Sequence, residues 1–219
     1  MTEGADIKVF DFFSGCGGTS CGFRRAGLDV VFALDCDPDA ARTFRSNFQG
    51  VGKHFHDEKI ESLDLGVLES RLAEFSGAPK LFCGCAPCQP FTRQKTVKSE
   101  RDKRAPLLRE FQRLVERYLP ELVFVENVPG IQKVRGKYGP FHEFVRSLKK
   151  LGYHSPGARV VAAQDYGVPQ MRRRLVYIAS RLGALSFPEP THGPRKEIPF
   201  RTVRDALREP SLLPPLRAG

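Results

Sequence analysis

The chain alternates short runs of β-branched and aromatic residues with longer amphipathic stretches. Residues 7–13 (IKVFDFF) read as a buried strand, and a helix-like stretch from Cys21 to Ala26 is closed by Gly27. Residues 28–34 (LDVVFAL) form a second buried run. Asp37-Pro38 then opens a helix, with an acidic N-cap and a proline at the first helical position. A short third strand is expected at 54–56 and another at 81–83, after Pro79. Apolar residues at 107, 108, 111, 114, 115 and 118 follow helical spacing. Residues 122–125 (LVFV) form a further strand, 141–151 a helix ending at Gly152, and 174–179 a late strand.

Strands and helices in this rhythm predict an α/β fold built of βαβ units, with a mostly parallel sheet and helices on both faces. Ligands on such sheets bind outside the carboxyl ends of the strands. Prolines at 188, 190, 194, 199, 210, 214 and 215 mark a turn-rich end. The expected organisation is a domain over 1–185 and a proline-rich connecting segment over 186–219.

Composition narrows the class. The 219 residues are 41% hydrophobic and 27% charged, which is globular, and 35 Lys and Arg against 25 Asp and Glu leave a formal net charge of +10. That excess favours a polyanionic partner. No apolar run approaches the ~20 residues of a membrane-spanning helix, and the polar start MTEGADIK carries no secretory signal, so no membrane partner is expected. The six cysteines (16, 21, 36, 83, 85 and 88) read as free thiols in a cytoplasmic protein.

Candidate chemistry sits at the strand ends. After the first strand, Gly15, Gly17 and Gly18 let backbone approach a ligand before a helix N-terminus. The dinucleotide fingerprint is broken because Ser20 stands where a third glycine is needed. Asp35 ends the second strand, where an acid can accept bonds from a ribose diol. Asp57 follows the short third strand; it could bond an adenine amino group or be a solvated loop acid.

Cys88 lies between Pro87 and Gln89-Pro90, in a stiff segment at the ligand edge. It could be an activated nucleophile, a structural thiol, or a zinc ligand with Cys83, Cys85 and His54 or His56, although the last set lacks a second ligand pair. Glu126 ends a buried apolar run, an environment that suits a carboxyl to proton donation; it could also cap a strand end. Alternation puts Arg172 and Arg174 on one face and Arg173 on the other. The pair could fork onto a base carbonyl or phosphate, or form a solvated basic edge.

In this order, Phe13-Ser-Gly-Cys-Gly-Gly18, Pro87-Cys88-Gln89, Glu126-Asn127-Val128 and Gln170-x-Arg172-x-Arg174 resemble the cytosine-C5 DNA methyltransferase family. The resemblance covers roughly 7–180, with a weaker echo at 187–193 and 202–207. It implies a Rossmann-like S-adenosylmethionine-dependent methyltransferase fold and methyl transfer to C5 of a cytosine flipped out of double-stranded DNA. Cys88 would add to C6, Glu126 would hold N3 and the exocyclic amine, Arg174 would hold O2, and Arg172 would orient the catalytic loop or acid. Phe13, Ser14, Gly15, Cys16, Gly17, Gly18, Asp35, Cys36, Asp57 and Leu107 match the cofactor positions, with Cys36 standing where the family usually has a large apolar side chain. The stretch 93–117, with nine Lys or Arg against four acids, is placed for phosphate contact. Bacterial restriction–modification is the expected setting. The resemblance stops before the family's target-recognition domain, so the expectation is either a chain shortened from a longer one or a second polypeptide that supplies that domain and the C-terminal motifs. A tRNA cytosine-C5 methyltransferase and a non-catalytic DNA-binding subunit are the alternatives.

Overall fold

The computed structural model of the chain describes residues 6–87, 105–133 and 139–208. In chain order these form β1 (Lys8–Phe12), α1 (Gly18–Arg25), β2 (Asp29–Asp35), α2 (Pro38–Asn47), α3 (Gln49–Gly52) and β3 (Phe55–Asp57). They continue as α4 (Leu65–Glu74), β4 (Lys80–Gly84), α5 (Ala105–Tyr118), β5 (Leu122–Asn127), α6 (Pro140–Lys150), β6 (Ala158–Ala162), β7 (Arg173–Ser180) and α7 (Val203–Arg208). One seven-stranded sheet runs in the order β3-β2-β1-β4-β5-β7-β6. Strands β1 to β5 are mutually parallel, and β7 runs antiparallel to both neighbours.

Alternation along the strands explains the layers. In β1, Phe10 and Phe12 face one side, where Phe32, Phe82, Val123, Val125, Leu175 and Tyr177 join them beneath α4, α5 and α6. Phe12 lies at the centre of this layer, with ring centroids 5.6 Å from Phe32, 5.1 Å from Phe82 and 5.8 Å from Phe111. Each such ring buried contributes about 1.5–3 kcal/mol, and each aromatic pair adds about 0.5–1.5 kcal/mol. Val9 faces the other side with Val30, Leu81 and Cys83, covered by Phe23 of α1, while Ala33 packs under Ala41 and Phe44 of α2.

Local signals account for most element boundaries. Asp37 caps α2 as expected: its Oδ1 accepts the amides of Asp39 and Ala40 at 2.9 and 3.0 Å, with Pro38 in the first turn. Helix α1 starts at Gly18, three residues before the expected Cys21, because Gly17 turns the chain with φ 91°. A Cβ on Gly17 would run into the ring of Phe48. Helix α4 and the edge strand β6 were not expected. Residues 186–208 contact the turn that follows β6. They include α7, and the Tyr166 hydroxyl donates to the Pro188 carbonyl at 2.9 Å while Asp165 O accepts the amides of Thr191 and His192. Among the described residues no helix is long and apolar enough to cross a membrane.

Candidate active site

The turn after β1 is tied to the end of β2 by a carboxylate. Asp35 Oδ2 accepts the Gly15 amide at 2.8 Å, and Oδ1 accepts the Asp37 amide at 3.0 Å. The glycine turn and the start of α2 therefore share one anchor. Ionised oxygens can accept more than one bond each, so Asp35 keeps acceptor capacity toward a ligand. Ser14 is buried and donates both its amide and its hydroxyl to Leu34 O. Phe13 adopts φ 64°, in the left-handed region that costs a non-glycine residue about 1–2 kcal/mol. That strain turns its side chain into a cleft.

The cleft encloses about 460 Å³ and is lined by Phe13, Leu34, Asp35, Cys36, Glu58 to Glu61, Cys85, Pro87 and Leu107. It opens at the carboxyl ends of β1, β2 and β4, where this sheet type binds ligands. Its wall is apolar on the Phe13, Leu34, Ile60 and Leu107 side and acidic at Asp35, Glu58 and Glu61. Burial, with the nearby Asp64 charge, pushes the Glu58 carboxyl above the usual range. A smaller hollow of about 320 Å³, by Lys80 and Glu121, sits at the amino ends of β4 and β5, away from these groups.

Under the glycine turn, Asp11 is fully buried. Its Oδ2 accepts the Ser20 hydroxyl at 2.6 Å, and Oδ1 has no hydrogen-bond partner among the described residues. Burial pushes its carboxyl up to about 6, against the lowering effect of Ser20 and the neighbouring Cys83 thiol.

The second part of the site lies at the end of β5. Glu126 and Arg174 meet across the antiparallel pair as an ion pair, with Arg174 Nε 2.6 Å from Glu126 Oε1. The strand alternates Val123, Val125 and Asn127 into the buried face, and Asn127 is 3% exposed. Its Nδ2 donates to Ala86 O at 3.1 Å, while its Oδ1 accepts the Val128 amide at 2.8 Å. Asn127 thus fixes the backbone two residues before Cys88.

Of the expected residues, Phe13, Asp35, Cys36 and Leu107 line the cleft; Ser14, Gly15, Gly17 and Gly18 build its turn; Cys16 is exposed on that turn. Asp57 lies 3.8 Å from Arg45, and the adjoining Glu58 takes the place in the wall. Arg174 joins Glu126, whereas Arg172 is exposed and immediately precedes β7. Cys88 lies outside the described residues, as does 93–104. Among the partners weighed for zinc, His56 stacks on Phe32 at 4.7 Å, on the sheet face opposite Cys83. Sequence reading does not name Ile60, offers Cys85 only as a candidate zinc ligand, and includes Asn127 only within the Glu126-Asn127-Val128 match. Of these, Asn127 had a signal: it continues the buried parity of Val123 and Val125, and a buried amide needs partners.

Comparison with known proteins gives consistent matches. The family described as C-5 cytosine-specific DNA methylase matches residues 7–212. The Type II methylase M.HgiDII of Herpetosiphon aurantiacus is 36% identical over 200 residues, 91% of this chain and 53% of that protein. The Type II methyltransferase M.AquIA of Picosynechococcus sp. is 32% identical over 226 residues, covering 95% of this chain and 89% of that protein. A crystal structure described as a DNA modification methyltransferase encoded within an E. coli prophage superposes with a TM-score of 0.73 at 30% identity. That match covers 92% of this chain and 54% of the other. The chain thus spans about half the length of M.HgiDII and of the prophage protein.

Proposed function

Because the chain belongs to the C-5 cytosine-specific DNA methylase family, we propose that it carries out methyl transfer from S-adenosylmethionine to C5 of a cytosine in double-stranded DNA. The observation that carries this reading is the convergence of two half-sites on residues 85–87. Cys85 and Pro87 line the cleft, and Asn127, next to the Glu126–Arg174 pair, holds Ala86. Cys88 follows directly.

The residues of the cleft fit the cofactor. Asp35, already oriented by two backbone amides, would accept from the ribose hydroxyls. The Phe13, Leu34, Ile60 and Leu107 side would receive the adenine, and the glycine turn would leave backbone room for the amino-acid end. When bound, S-adenosylmethionine supplies an electrophilic methyl group on its sulfonium.

Cytosine C5 is a weak nucleophile, and the chain's residues activate it. Cys88 Sγ adds to C6, which places electron density on C5. Glu126 presents its carboxyl to N3 and the exocyclic amine and neutralises charge on the ring, while Arg174 turns its guanidinium to O2. After C5 takes the methyl group, water removes the C5 proton and Cys88 leaves C6, restoring the ring. The target must leave the duplex for these contacts to form. Arg172, beside the strand that carries Arg174, orients the catalytic loop or acid.

The Type II names of the relatives support restriction–modification as the setting. The deciding experiment is transfer of labelled methyl groups to duplex DNA and to tRNA, with and without neighbouring gene products. Label in duplex DNA is the expected result; label in tRNA alone would replace the substrate.

A further inference from the structure

Cys83 is the penultimate residue of β4, on the same sheet face as Asp11, its register partner in β1. Cys85, two positions on, points the same way, and the two sulfurs lie 3.7 Å apart. They differ in access. Cys83 is fully buried, whereas Cys85 is half-buried and lines the cleft, with Thr19 Oγ1 of α1 3.6 Å from its sulfur. Gly84 between them lies against Phe111, whose ring a Cβ would meet at 2.6 Å. The pair is therefore short, glycine-linked and open to solvent on one side only.

We propose that Cys83 and Cys85 are a peroxide-sensitive thiol pair whose disulfide closes down the cofactor cleft. Hydrogen peroxide, entering through the cleft, oxidises the Cys85 thiol to a sulfenic acid and is reduced to water. The Cys83 sulfur then attacks the Cys85 sulfur, forming the S–S bond as the S–O bond breaks. The proton from Cys83 passes to the Asp11 carboxylate beside it and on to the departing hydroxide, which leaves as a second water. Two electrons leave the thiols and two reduce the peroxide.

Closure requires the sulfurs to move from 3.7 Å to the ~2.05 Å of a disulfide, which draws Cys85 away from Thr19 and shifts the cleft wall. This displacement falls three residues before Cys88 and under the turn carrying Gly15. The other cysteines do not share the arrangement: Cys16, Cys21 and Cys36 are exposed, and Cys83–Cys85 is the pair of sulfurs in contact among the described residues. The effect on binding rests on the cofactor assignment above; the disulfide itself does not.

The test treats the full chain with hydrogen peroxide, blocks remaining thiols with iodoacetamide under denaturing conditions and digests with trypsin. Cleavage after Lys80 and Arg93 releases 81–93 with Cys83, Cys85 and Cys88 together. The expected fragment carries one alkyl group, on Cys88, and a disulfide between the other two. Alkylation of both Cys83 and Cys85, or a bond to Cys88, overturns the proposal. Calorimetry should show S-adenosylmethionine binding roughly tenfold weaker after oxidation and restored by dithiothreitol. A formed disulfide with unchanged binding overturns the closure of the cleft. Failure of the reduced protein to bind would count against the cofactor assignment, while the mass of 81–93 still decides the pair. In Cys83→Ala, dimedone should trap a sulfenic acid at Cys85 with no disulfide.

Discussion

Asp35 and Gly15, twenty positions apart, are joined by a 2.8 Å bond from the glycine amide to the carboxylate. The same carboxylate holds the Asp37 amide at the start of α2, so the side chain that sets the turn is also the proposed ribose acceptor. Asp35→Ala removes the acceptor and frees the turn. A hydrogen bond to a charged group is worth about 1.5–3 kcal/mol, so the dissociation constant for S-adenosylmethionine should rise roughly ten- to a hundredfold by calorimetry. An unchanged constant would refute the ribose contact.

Arg174 and Glu126 pair at 2.6 Å through the arginine Nε. Lysine keeps the charge but loses the planar fork that can hold a base carbonyl while staying near the acid. Arg174→Lys should lower kcat/KM for DNA by about 1.5–3 kcal/mol of transition-state stabilisation while cofactor binding stays near normal. Equal kcat/KM in the two proteins would remove Arg174 from the base-holding role.

Cys88→Ser should abolish turnover, because a hydroxyl is a far weaker nucleophile toward C6 than a thiolate. Cofactor binding should survive, since Asp35, Phe13 and the other residues lining the cleft are unchanged. Fluorocytosine-containing duplex DNA offers an independent check: the wild type should form a covalent adduct and the variant none.

The central strands were legible because both faces are buried, so β1, β2, β4 and β5 read as continuous apolar runs. The Asp37-Pro38 signal placed α2 because its cap is local chemistry. The edge strand β6 had no such pattern: Val160 is 44% exposed and the strand is buried on neither face. The reversed direction of β7 left no mark, since a period of two is the same in either direction. In α4 the apolar positions 65, 68 and 72 do carry helical spacing, and Asp64 caps it through the Gly66 amide. At the site, the turn and Asp35 were legible from spacing, whereas Cys85 and Asn127 acquire their roles from sheet register. Asp11 meets Cys83 only because β1 and β4 pair in that alignment.

Asn127 is a positioning residue: it touches Ala86, not the cleft. Asn127→Ala leaves a buried carbonyl without its donor, a loss of about 1–3 kcal/mol in stability. The distinguishing readout is kinetic. With Cys88 less well placed, kcat should fall while KM for S-adenosylmethionine stays close to wild type. A variant that loses stability but keeps kcat would limit Asn127 to packing.

Asp11 makes the stability of the protein depend on pH. Its carboxyl is raised to about 6 by burial, and the Asp35 charge adds to the rise, while the Ser20 hydroxyl and Cys83 thiol oppose it. The folded state therefore holds this proton more tightly than the unfolded chain, whose aspartates titrate near 3.8. The contribution is fully present below the unfolded value and is lost as pH rises through the folded one. A rise from 3.8 to about 6 corresponds to about 3 kcal/mol. Exposed carboxylates with lowered values, such as Asp205, act in the opposite sense at more acidic pH, so the comparison must be made against Asp11→Asn. Asparagine can still accept from Ser20 but does not titrate. Urea unfolding at about pH 4.5 and about pH 7.5 should show the variant gaining on the wild type as pH rises. Parallel profiles for the two proteins would show that the Asp11 proton is not retained on folding.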